Sequence, residues 1–191
     1  MASDVGIANA ALGKIGAGTL IALTDDSPEG RLANRTYAEL RDQLLRSHPW
    51  NFATLRVSLA ASSTAPVWEY DNAFLVPADF LRLIDVSNPQ LQAYRVERTS
   101  AEGTIIVTDI GAPLKIKYIA QVTDANKFDA SFREALAALL AREWAEPLTG
   151  ITALGQNMAA LYDKKLQEAK GVDGQEQTPA ESTNFSWIDV R

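Results

Sequence analysis

The pattern of apolar and polar positions divides the chain into helical ends and a strand-rich middle. In "SDVGIANAALGKIGAG", Ile7, Ala8, Ala11, Leu12 and Ile15 recur at helical spacing, with Ser3 or Asp4 as N-cap and Gly16 as the stop. After the loop "TLIALTDD", Ser27 is placed as N-cap, Pro28 at the first helical position and Glu29 in the first turn. The second helix then runs to about Ser47, with Leu32, Tyr37, Leu40 and Leu44 inward. His48 precedes Pro49 and is therefore pushed out of the α region, so the helix ends there.

The period then changes to two. "TLRVSLA" alternates Leu55, Val57 and Leu59 with polar residues, and further strands are predicted at 73–76, 80–87, 93–97, 104–108 and 114–122. The last is the clearest, with Leu114, Ile116, Tyr118, Ala120 and Val122 on one face. From Asp129 the helical period returns, with Phe132, Leu136, Leu139, Leu140 and Trp144 on one stripe that stops near Pro147. A fourth helix carries Ile151, Leu154, Met158, Leu161 and Lys165 near coiled-coil spacing and ends at about Gly171. The order predicts an α+β protein: an antiparallel-type four-helix bundle with an inserted small all-β subdomain and an extended C-terminal tail. Its parts are helices one and two (1–50), the β-insertion (51–125), helices three and four (126–171) and the tail (172–191).

Composition narrows the chemistry. The 191 residues include no cysteine and one histidine, which removes disulfides, thiolate metal sites and a cysteine nucleophile, and leaves zinc almost without ligands. A net charge of -6 argues against a chain that wraps nucleic acid. No apolar run reaches the ~18 residues that span a bilayer, and the N-terminus lacks a signal-peptide pattern, so a soluble, unexported chain without a membrane partner is expected.

No short motif points to catalysis. "GKIGAGT" places Lys14 before the glycines, the reverse of a phosphate loop, and reads as a helix cap and turn. Asp25 and Asp26 have no third carboxylate nearby and read as a solvated turn; Glu143 and Glu146 read as a solvated helix face. His48 lacks an identifiable Ser or Cys partner and reads as a helix-terminus residue, with Trp50 and Phe52 capping the end of the bundle. No catalytic residue, cofactor or metal site is assigned. A hydrolase using two of the 24 carboxylates is the alternative from another class, although no pair stands out.

The run "IANAALGKIGAGTLIALTDDSPEGRLANRTYAELRDQLLRSHPWNFATLRVSLA", followed by "FLVPADFLRLIDV", resembles the tail tubular protein A family of bacteriophages, head-to-tail adaptors that sit beneath the portal. The resemblance rests on "SHPWNFA" at 47–53 and "LVPADFLRL" at 75–83, where Val76 separates Leu75 from Pro77 although the family pattern has Leu-Pro directly. It is specific over the first 85 residues, loose over 86–128, and extends to the terminal "FSWIDVR". It implies a structural, non-enzymatic virion protein at the head-tail interface, assembled in the host cytoplasm. The implied assembly is a ring of twelve subunits that continues the DNA channel. Partners would be the portal, neighbouring copies and the next tail component (a nozzle or tail tube protein), with duplex DNA passing through without specific binding. Phe185, Trp187, Ile188, Val190 and Arg191 would then anchor the tail on the portal, and His48, Pro49, Trp50 and Phe52 would form a structural joint. A carbohydrate-active tail hydrolase, or another connector ring such as a stopper or tail-completion protein, is the competing reading.

Overall fold

A computed structural model describes residues 1–88, 92–99 and 103–176. In chain order the elements are α1 (Asp4–Ile15), α2 (Pro28–Ser47), β1 (Thr54–Leu59), β2 (Asn72–Leu75), β3 (Phe80–Val86), β4 (Tyr94–Thr99), β5 (Gly103–Thr108), β6 (Leu114–Ala120), α3 (Ala130–Thr149) and α4 (Thr152–Gln175). The caps follow local chemistry. Ser3 and Ser27 accept from the backbone N–H groups of Gly6 and Gly30, each at 3.0 Å, and Gly16 closes α1 at φ 70°. Gly30 is required by a close approach: a Cβ there would lie 2.1 Å from the Asp25 carbonyl oxygen.

The strands form two antiparallel three-stranded sheets, ordered β1-β6-β3 and β2-β5-β4. Leu59, Phe74, Val76, Val86, Ile106, Leu114, Ile116, Tyr118 and Ala120 fill the core shared by the two sheets. The alternation in β6 decides this arrangement: Leu114, Ile116, Tyr118 and Ala120 enter that core, while Ile119 points the other way into the helical core.

The four-helix bundle with an inserted β-subdomain is not what forms. The fold is a mixed α+β structure in which α1, α2 and α4 each pack on α3, and α2 also packs on β3 of the first sheet. Residues 135–141 of α3 are buried without interruption, so the middle of this helix is surrounded, whereas a bundle helix would bury one stripe. The core around α3 takes in Ile119 of β6, with Leu81 and Ile84 of β3 packed against it. One face of the first sheet thus belongs to the helical core, beside a second core enclosed between the two sheets, where the sequence pattern suggested a separate insertion.

Two helix ends also lie elsewhere than the pattern predicts. Pro147 sits inside the last turn of α3, which continues to Thr149 and is closed by the Gly150 N–H on the Glu146 carbonyl at 2.9 Å. Helix α4 passes Gly171 and reaches Gln175, so the first residues assigned to the tail are helical. Its buried side is the line Leu154, Met158, Tyr162, Leu166 and Ala169 against the α3 core, which absorbs most of the apolar surface of α4 and leaves Ile151 exposed.

The start of α3 offers a test of local stability. Asp129 is its N-cap, and one carboxylate oxygen accepts from the Ser131 N–H at 2.8 Å and the Ser131 hydroxyl at 2.6 Å. Partial burial pushes its carboxyl up, but the Ser131 bonds and further backbone N–H groups outweigh that and hold it below the ordinary carboxylate range. Asp129→Ala is expected to cost about 1 kcal/mol in urea unfolding at pH 7. Because the folded carboxyl is the stronger acid, that difference is fully present above pH about 4 and disappears as pH falls through the folded value, which parallel acid titrations of the two proteins will read.

Candidate functional site

The run "SHPWNFA" forms a joint where α2 ends and the first sheet begins. His48 leaves α2 in an extended conformation at φ −143°, as a residue before proline should. Asn51–Ala53 then make one turn of 3-10 helix and deliver the chain into β1. Trp50 is buried, with its indole Nε1 donating to the Leu44 carbonyl at 3.0 Å and its ring set edge-on to Phe132 at 5.1 Å. Phe52, half-buried, packs on Phe132 at 5.0 Å and Phe128 at 5.9 Å, so the aromatics of the joint meet the start of α3.

His48, Trp50 and Phe52 are thus brought together, with His48 edge-on to Trp50 at 4.7 Å. The sequence reading missed the residue that ties them to the last helix. Asp173, in the final turn of α4, is 8% exposed, and each of its carboxylate oxygens has a partner. Oδ1 accepts the Asn51 backbone N–H at 2.8 Å, and Oδ2 lies 3.1 Å from His48 Nε2. The Asn51 side-chain amide donates back to the Asp173 carbonyl at 2.8 Å. One carboxylate therefore pins the end of α4 to the turn between α2 and β1, across 122 residues of sequence. The available signal was an acid on the otherwise apolar side of α4, in line with Leu166 and Ala169.

The second run of the resemblance, "LVPADFLRL", is also a fastening. The Tyr118 hydroxyl of β6 donates to Asp79 Oδ1 at 3.1 Å, the Gln121 N–H donates to the Asp79 carbonyl at 2.6 Å, and the Phe80 ring stacks on Tyr118 at 5.7 Å. Burial, reinforced by the Asp79 carboxylate, pushes the Tyr118 hydroxyl up to about 12, so it remains a donor at neutral pH. Burial and the neighbouring Asp4 likewise push the Tyr37 hydroxyl up, where it donates to Asp4 at 2.9 Å and joins α2 to α1.

The other charged candidates go to separate partners. Asp25 accepts the Ile21 N–H at 2.7 Å, while Asp26 pairs with Arg31. Lys14 of the glycine-rich turn pairs with Glu134 at 3.2 Å. Glu143 accepts from Arg142, and Glu146 from the Thr152 hydroxyl at 3.2 Å. Among the described residues no three His, Cys, Asp or Glu side chains gather as a metal site, and no helix is long and apolar enough to cross a membrane. Phe185, Trp187, Ile188, Val190 and Arg191 lie outside the described residues.

No protein-family model and no curated protein sequence matches the chain.

Proposed function

We propose that this chain is a structural head-to-tail adaptor of a bacteriophage, which forms a ring on the portal and joins capsid to tail around the DNA channel. The observation that carries this reading is the use made of the two runs on which the resemblance to the tail tubular protein A family rests. His48 and Trp50 make up a joint whose hydrogen bonds are directed inward, to Asp173 and Leu44. Asp79 in the second run fastens β3 to β6 in the same inward way. Residues used like this hold a shape, which is what a ring subunit must do when the same contact is repeated around a closed circle. The described part of α4 ends beside that joint, held there through Asp173.

The test is assembly of the full-length chain on the purified portal ring of the same phage, followed by native mass spectrometry. The expected product carries twelve copies, and deletion of residues 180–191 is expected to abolish attachment while leaving the melting temperature nearly unchanged. A full-length chain that stays monomeric and unbound in the presence of the portal would refute the reading. Attachment of the truncated chain at full strength would move the anchor to the described surface.

A further inference from the structure

The β-sandwich carries a knob and a matching groove at different places. The loop between β1 and β2 lifts Val67 and Trp68 into solvent, where they are 98% and 76% exposed. The loop is held in place. Ser62 donates its N–H to the Ala73 carbonyl at 2.7 Å, and Arg95 Nη1 donates to Glu69 Oε2 at 3.1 Å. The same guanidinium lies 6.0 Å above the Tyr70 ring, which packs on Ala73, Ile105 and Val107. Glu69 adopts φ 74°, a left-handed conformation that a non-glycine residue keeps only when its surroundings impose it. The knob is flanked by acids: Glu69, Asp71, and Asp109, whose carboxylate accepts the Asp71 N–H at 3.0 Å.

The groove lies between the edge strands β3 and β4, where the two sheets stand open. It measures about 580 Å³, and its apolar lining includes Phe80, Leu83, Tyr94 and Val96. Val96 is 44% exposed although it sits opposite the fully buried Ile106 in the register, so no described residue covers this edge of the core. Arg46, Arg82 and Arg98 rim the groove beside a single acid of its lining, Glu97, so its charge is net positive. Arg82 and Arg98 form no ion pair among the described residues.

We infer that the Val67–Trp68 knob of one copy seats in the β3–β4 groove of a second copy, with the acids around the knob meeting the arginines around the groove. Both halves of the contact are present on one chain, and their charges are opposite. Side chains alternate along β4, so Arg95 faces the knob's loop while Tyr94 and Val96 face the groove. A knob and a groove on opposite sides of one strand are placed to serve different neighbours. Such a contact is head-to-tail, the kind that propagates into rings or filaments. Its held geometry lowers the ordering cost of association, and the charge match selects the register. The inference rests on the ring reading above and names the surface that repeats.

The chain has no native cysteine, so single cysteines report the contact directly. Full-length Val67→Cys and Thr104→Cys chains, carrying different isotope labels, are mixed at high concentration without portal or DNA and treated with a short bis-maleimide. Thr104 lines the groove, and its replacement leaves the three arginines in place. The expected product is the mixed 67–104 dimer, in clear excess over dimers formed by either variant alone and over a control with Glu39→Cys, an exposed site on α2. Adding Asp71→Arg to the Val67→Cys chain should cut that product about tenfold by placing like charges together, and Arg82→Glu in the Thr104→Cys chain should restore it. Mixed product at the control level, or Val67→Cys homodimers as the main species, would overturn the inference. A 67–104 product that appears only after deletion of residues 177–191 would overturn it too, because the groove would then belong to the chain's own end. The test contains no portal, so its failure would leave the portal-attachment result standing.

Discussion

Trp50→Ala is expected to destabilise the protein by about 3 to 5 kcal/mol, measured by urea unfolding at pH 7. The indole is fully enclosed, and it meets His48 on one side and Phe132 on another. Its removal opens a cavity at the meeting point of α2, the turn before β1 and the start of α3, and the surrounding elements are too constrained to collapse into it. Leu44 loses the indole donor but keeps the Ser47 hydroxyl at 2.8 Å, so the loss is chiefly one of packing. Trp50→Phe separates the two contributions: it keeps most of the aromatic contact, loses the hydrogen bond, and should cost clearly less than the alanine variant. Equal losses for the two variants would mean that the hydrogen bond dominates, and an unchanged midpoint for Trp50→Ala would contradict the packing account.

Asp173→Ala is expected to cost about 2 to 3 kcal/mol, because it removes the carboxylate that accepts a charge-assisted bond from the half-buried Asn51 N–H and lies against His48. Its more informative consequence is local. The last turn of α4 is held to the joint through this side chain and through the Asn51 amide on its carbonyl. Amide hydrogen exchange should therefore accelerate over residues 170–176 in the variant while the protection of α3 residues 135–141 persists. Asp173→Asn keeps an acceptor for Asn51 and should recover part of the loss. Uniform acceleration across α3 and α4 would show that Asp173 supports the whole core and not the helix end alone.

The residues of "SHPWNFA" announced their own local geometry, since proline after His48 ends a helix whatever surrounds it. They did not announce Asp173, whose partner lies 122 residues away; only its place on the apolar side of α4 marked it, and that mark names no partner. Gly171 made a helix end look natural, yet α4 continues to Gln175, where packing on α3 and the Asp173 bonds outweigh the low helix propensity of glycine. Likewise no local signal singles out Val67 and Trp68. That they stand exposed beside a held loop follows from Arg95 gripping Glu69 and Tyr70 from another strand.

By itself the sequence determined the helices, the strands and some of their caps. Ser27 as an N-cap, Gly16 as a stop and the alternation of β6 are each enforced within a few residues by hydrogen bonding and sterics, so a short window contains the whole cause, while the choice of Ser3 over Asp4 and the cap at Asp129 were settled by the structure. The tertiary structure alone decided which faces meet. The run "ALAALLA" of α3 is apolar on every side, and a single strongest stripe can be picked from it, but how many neighbours surround it depends on where the other elements come to rest. Those neighbours are α1, α2 and α4, with Ile119 of β6 reaching into the same core. Burial is a property of the whole assembly of elements, and that is why the local pattern predicted a bundle with an insertion while in the molecule the helical core takes in one face of the first sheet beside a second core between the sheets.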